Sequence, residues 1–384
     1  MMKPHWKLTP LALLLLAAPA RAEDLLIKAA KVYTMTGAPL APGEVHVSGG
    51  KIVEVGTKLK VPAGAKVIDL GAGTLLPGLV DAYSQAGIVG RPAEITKEIT
   101  PEYRVLPAVD WRARAFREAL SEGTTTLGLA PGTDGVIAGL ACAVKTAGAR
   151  KALAEETGLV ITMASDPATG NTSRSRPDSI YVRQPTNRMG VVWLLRSTLD
   201  KAGRQKTPEL AVVREALAGR RRTFAVSRTD NDLLSLLRLA KEFKFTPTVI
   251  GGHEAYKLRE ELAAAKVPVI LGPLTTSPSL TGPESTDAIW NQPALLHKAG
   301  ITFALSGGQL LEQARFAVRH GLPPEAALAA ITRTPARLLG LEERVGTLEP
   351  GRDADLVALD GDPLELTTSV QWVLVDGKTY AKGN

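Results

Sequence analysis

Few side chains in this chain belong to the types that cut bonds or hold metals, and their spacing limits what they can do. Of its five histidines, His253 is followed directly by a carboxylate, Glu254. An imidazole beside a carboxylate suits a divalent ion, yet a catalytic zinc takes about three protein ligands, so this pair alone falls short. Ser84, Ser227 and Ser306 are candidate nucleophiles. Each would need a positioned base and an oxyanion hole; His253 is the one credible base, and no nucleophile elbow surrounds any of them. His46 sits in a strand-like run, while His297 and His320 lie in or near helix ends, where capping or surface roles suit them. The single cysteine, Cys142, is flanked by Leu140, Ala141, Ala143 and Val144, which predicts a buried, inert thiol. One cysteine also excludes an internal disulfide and a thiolate metal cluster.

The elements that carry these residues follow from periodicity. Near the start, DLLIKAAKVYTM and GEVHVSGGKIVEVG alternate apolar and polar residues between Gly and Pro turns, as half-buried antiparallel strands do. VGTLEPGRDADLVALD and VQWVLVDGKTYAKG repeat that style near the other end. Between them, short apolar strands alternate with helical runs such as WRARAFREALSEG, NDLLSLLRLAKEF, YKLREELAAAK and PALLHKAG. Strand-helix units repeated over about 270 residues predict an α/β chain folded as a (β/α)8 TIM barrel, whose active sites sit at the C-terminal ends of the strands. An aliphatic composition, 45% hydrophobic with 4% aromatic, suits that core.

Two motifs carry a resemblance to a known family. PGLVDAYSQ, Pro77 to Gln85, resembles the leading run of an amidohydrolase first barrel strand. ITRTPARLLGLEERVGTLEPGRDADLVALDGDPL, Ile331 to Leu364, resembles the closing signature of metal-dependent amidohydrolases of the imidazolonepropionase-like kind. Segments Ser121 to Gly148, Pro185 to Arg196 and Gly251 to Pro273 are similar to one bacterial subgroup. Beyond residues 1–22, the resemblance implies three segments: residues 23–75 and 344–384 pair into one discontinuous β-sandwich, and residues 76–343 form the barrel.

It also implies hydrolysis of non-peptide C–N bonds by Zn or another divalent metal. The family's ligands are His-x-His on strand 1, a carboxylated Lys or a Glu on strand 4, His on strands 5 and 6, and an acid on strand 8. Here the strand-1 pair reads Tyr83 and Gln85, and the strand-5, strand-6 and strand-8 positions fall on Ser227, Gly251 and Gly308. A neutral phenol, a carboxamide and a hydroxyl are poor ligands for zinc, and glycine offers no side chain. No bound cofactor is therefore expected. Asp81 and Lys145 remain from the usual set: Asp81 to orient the first strand's loop, Lys145 as a residue near the end of strand 4 that could carry a carbamate. The expected mouth is lined by Asp81, Tyr83, Gln85, Lys145, Ser227, Arg228, His253, Glu254 and Ser306.

Residues 1–22 read as a secretory signal peptide: two lysines, an apolar run from Leu11 to Ala18 and a small-x-small end at Ala20 to Ala22. The run is shorter than the roughly 20 residues that span a bilayer, so the expected location is periplasmic or secreted, with no membrane span after cleavage. The charge of +7, less the three of Lys3, Lys7 and Arg21, leaves +4, too small a surplus to imply a nucleic-acid partner. Arg220 to Arg222 is read as a solvated basic run. Gly135 to Gly148 lacks phosphate-loop spacing, and LSGGQ, Leu305 to Gln309, has no phosphate loop to accompany it. Three readings stay open from sequence: a degenerate pocket that binds a small molecule, an inactive partner in a homo-oligomer or beside an active homologue, and a C–N hydrolase with a reorganised or metal-independent site.

Overall fold

The structure, a computed structural model, describes residues 24–148, 152–172, 183–274 and 289–381. The predicted signal segment lies outside them. Strands β1 (Leu25–Ala29), β3 (Gly43–Ser48), β4 (Lys51–Gly56) and β5 (Lys66–Asp69) form one small sheet in the order β4-β3-β1-β5. A second sheet, β17-β16-β15-β6-β2, joins β2 (Lys31–Val32) and β6 (Thr74–Pro77) to β15 (Leu356–Leu359), β16 (Val370–Val375) and β17 (Lys378–Ala381). The two ends of the described chain meet at β6 and β15, which pair antiparallel with Leu76 opposite Val357 and Pro77 opposite Leu356. Ile27, Val45, Ile52 and Leu75 from one end share a core with Leu356, Ala358 and Leu374 from the other. The composite sandwich is as the sequence predicts.

The barrel strands are β7 (Leu79–Ser84), β8 (Thr124–Leu129), β9 (Ile137–Lys145), β10 (Ala152–Thr162), β11 (Thr223–Ser227), β12 (Pro247–Gly251), β13 (Val269–Leu271) and β14 (Phe303–Leu305), hydrogen-bonded in sequence order. Alternation along the strands separates two cores. Val80, Ala82, Val160, Phe224, Val226, Ile250, Ile270 and Ala304 face inward, where Leu338, Leu339 and Leu341 fill the interior. Leu159, Ile161, Ala225, Val249, Val269 and Leu305 face the helical layer of Leu195, Leu199, Leu233, Leu236 and Leu262. Between the edge strands, the Val80 N–H donates to the Ile331 carbonyl and the Leu305 N–H to that of Ala330, both at 2.9 Å. That two-residue stitch closes the barrel seam.

One strand departs from the expected all-parallel pattern. β9 runs antiparallel to both β8 and β10. A parallel return needs a crossover of about a dozen residues or more, usually a helix, and the connection from Leu129 to Ile137, with Pro131, Gly132 and Gly135 in it, is a turn. The C-terminal end of β9 therefore points to the bottom of the barrel, away from the mouth.

Candidate functional site

The reversal of β9 corrects the placement of Lys145. Instead of lining the mouth, its ammonium lies at the barrel's bottom, 2.8 Å from Asp353 and 3.0 Å from Asp355, and also bonded to Asp376. Burial alone would lower the Lys145 pKa, but Asp355, Asp353 and Asp376 outweigh it and hold it above its ordinary value. A lysine must lose its proton before the amine can take up CO2 as a carbamate. This one is held charged, and it clamps barrel to sandwich.

At the mouth, Asp81 is 2% exposed. Its Oδ1 accepts the Tyr83 N–H at 3.1 Å, and its Oδ2 accepts the N–H groups of Gly307 and Gly308 at 3.0 Å each. Burial raises its pKa to about 6, against the pull of those donors. Asp81 thus ties the first barrel strand to the loop after the last, the orienting role its position suggests. Gly307 and Gly308 have φ of 95° and 79°, a region open to glycine at little cost.

Arg228 lies at the mouth, directly after β11. Its neighbours Phe224 and Val226 point inward and Ala225 outward, so the same alternation sends Arg228 in and leaves Ser227 on the helix-facing side. The residue after the expected ligand position is the one that reaches the mouth. A capping box seats it: the Thr229 side chain accepts the Asp232 N–H, and Asp232 Oδ2 accepts the N–H groups of Arg228 at 3.0 Å and Thr229 at 3.1 Å, opening the helix Asp230–Phe243. From the other side the Arg228 carbonyl accepts the Glu254 N–H at 3.0 Å. The guanidinium then meets Asp166, just beyond β10, through two bonds of 2.5 and 2.9 Å. Thr133 Oγ1 donates to the same carboxylate at 2.9 Å.

Tyr83 faces this pair. Burial raises its phenol pKa; the Arg228 charge opposes that shift and the Asp166 charge adds to it. A Cβ built on Gly251 would lie 3.5 Å from Arg228 Cγ and 3.7 Å from His253 Cε1. Arg228, Tyr83, Gly251 and His253 are therefore brought together. The others are placed apart or occupied: Gln85 is exposed, the Ser306 hydroxyl donates to the Leu271 carbonyl at 3.2 Å, and Glu254 accepts from the Asp230 N–H and the Lys257 ammonium at 2.8 and 2.7 Å. Ser227 Oγ is buried with no hydrogen-bond partner among the described residues. Of the remaining serines and cysteine, Ser84 Oγ accepts the Ala86 N–H, and burial pushes the Cys142 thiol up to about 12, which keeps it protonated and inert.

Next to the mouth, His253, Leu271, Pro273, Trp290, Gln292 and Phe316 line a narrow cleft of about 30 Å³. Sequence reading missed Asp166 and Thr133. The run GLVITMASD would have pointed to Asp166, because an acid just beyond a buried strand sits at the mouth.

The donor set does not fit a divalent metal. Tyr83, Gln85, Ser227, Gly251 and Gly308 stand at the expected ligand and base positions, and among the described residues no group of three His, Cys, Asp or Glu is placed to hold one. A guanidinium already reaches this space, and a dication beside it would be repelled.

The family model for the amidohydrolase family matches residues 285–381. The amidohydrolase tasK of Hapsidospora irregularis is 26% identical over 390 residues, covering 87% of this chain and 39% of the relative. Adenine deaminase 2 of Jannaschia sp. is 37% identical over 94 residues, covering 24% of this chain and 15% of the relative. This chain thus spans well under half the length of either. The solved structure of an amidohydrolase from Thermotoga maritima MSB8 superposes with a TM-score of 0.85 at 29% identity, over 93% of this chain and all of that one. The chain belongs to the amidohydrolase superfamily.

Proposed function

We propose that this protein is an exported member of the superfamily that has given up metal-dependent hydrolysis and uses its barrel mouth to bind a small organic molecule. The observation that carries the reading is the Arg228–Asp166 pair, set beside positions 83 and 251 where the family would place metal ligands. Without a dication there is no Lewis acid to activate water, and the mouth keeps groups suited to recognition: the Tyr83 phenol, the ion pair and, beside them, the apolar cleft at Trp290 and Phe316. Export is supported by the character of residues 1–22.

Native mass spectrometry of the purified protein, with parallel assays on amides, lactams and dipeptides, tests this. The reading expects a co-purifying or added organic ligand whose affinity falls in Tyr83→Phe, and no turnover above a no-protein control. Turnover that depends on His253 would replace it with that of a reorganised hydrolase.

A further inference from the structure

We infer that the Arg228–Asp166 ion pair is a built-in replacement for the metal, fastening the strand ends that a dication would otherwise hold. The inference rests on the metal-free reading above and goes beyond it, since a mouth could lose its metal and be left slack. Three observations carry it.

The first is position. Arg228 adjoins the strand-5 ligand position in the chain, its Cγ is the side-chain atom nearest the strand-6 position at Gly251, and its charge acts on the strand-1 position at Tyr83. The second is connectivity. Through Thr133, Asp166 and Arg228, with the Arg228 carbonyl bound to the Glu254 N–H, the network links the β8–β9 turn, the end of β10, the end of β11 and the segment after β12. A bound metal fastens a barrel mouth in the same way, by drawing ligands from several strand ends to one point. The third is geometry. The guanidinium meets the carboxylate through both terminal nitrogens, a fork that fixes orientation as well as distance, and the side chains keep 19% and 25% of their exposure. A pair that sheltered is screened less than a surface pair.

A lysine would keep the charge and lose the fork, and this separates a specific fastener from a generic charge effect. The experiment is a double-mutant cycle on the full mature chain, with Arg228→Met, Asp166→Asn and their combination, read by urea unfolding, plus Arg228→Lys read by amide exchange at Gly252 and Glu254. Metal content is measured on every sample. Each single variant should lower the folding constant at least ten-fold, and the double variant should lose no more than the worse single. Arg228→Lys should exchange faster than the parent at both amides. If a single variant fails to fold and the double variant folds, the coupling is established by that result. Additive losses, or an Arg228→Lys protein that exchanges like the parent, would overturn the inference while leaving the metal-free reading intact. A stoichiometric divalent metal in the parent would overturn both.

Discussion

The barrel carries a cation held by carboxylates at each end, and the two sites differ in a way the sequence does not advertise. At the bottom, Lys145 is 5% exposed among Asp353 and Asp355, each 2% exposed, with Asp376 at the edge; Lys51 and Arg344 also bond to Asp353 at 2.6 Å. At the mouth, Arg228 meets Asp166 with part of both side chains still in contact with solvent. The bottom site joins barrel to sandwich and has every member engaged. The mouth site sits beside a phenol and a cleft. Burial and a web of ion pairs mark the first as structure; partial exposure in a concavity leaves the second, which we propose fastens the mouth, accessible to a ligand as well.

The strongest way to break this comparison is to remove the lysine. Lys145→Met strands buried acids, and loss of one partner of a buried pair costs about 3–5 kcal/mol, so urea unfolding should show a loss of that size. A carbamate or ligand-binding role would instead leave stability nearly unchanged, and that result would reverse the assignment of the two ends.

Asp81 gives the next largest effect, and its sign is definite. Burial raises its folded value to about 6 from the ordinary 3.8, so between those values the folded chain holds a proton that the unfolded chain has released. Its contribution to stability is full below pH about 4 and is lost as pH rises through about 6, by roughly 3 kcal/mol. In Asp81→Asn the difference from the parent should therefore change across that window and level off above it. A difference that is flat from pH 4 to 7 would mean Asp81 titrates normally. Asp353 works in the opposite sense. Burial is outweighed by Lys145, Lys51 and Arg344, which hold it down at about 2, so its stabilisation is lost as pH falls through that value.

These contrasts show how far sequence reached. The sandwich was legible because both ends alternate with period two, and the barrel because strand and helix patterns repeat. The PGLVDAYSQ run carries Tyr83 and Asp81 on the first barrel strand, since a motif at a strand end carries its own register. Lys145 was misplaced because AVKTAG reads as a strand end without revealing strand direction. The signal lay upstream, in the short Pro131-to-Gly135 turn that no crossover helix could fit. Ser227 and Arg228 were both expected at the mouth, and a strand's period of two sends neighbouring side chains to opposite faces. The Arg228–Asp166 contact bridges separate strands, and no local pattern records such a pairing.

Restoring the family's ligands sharpens the contrast at smaller cost. Tyr83→His, Gln85→His, Ser227→His, Gly251→His and Gly308→Asp place the family's residues back, but Gly251 and Gly308 have φ of 94° and 79°, where a side chain costs about 1–2 kcal/mol each. Ser227→His would start from the helix-facing side, and Arg228 would still repel the ion. The quintuple variant should melt below the parent and take up little zinc by elemental analysis, whereas adding Arg228→Met should raise uptake. Full zinc loading without that sixth change would contradict the view that the guanidinium stands in the metal's place.

The most direct test is elemental analysis of the purified full-length protein, joined to thermal melts with and without EDTA. The account predicts less than a tenth of an equivalent of Zn, Mn, Fe or Ni per chain and the same melting temperature in both conditions. One equivalent of tightly held metal, with a melting temperature that falls on chelation, would contradict it.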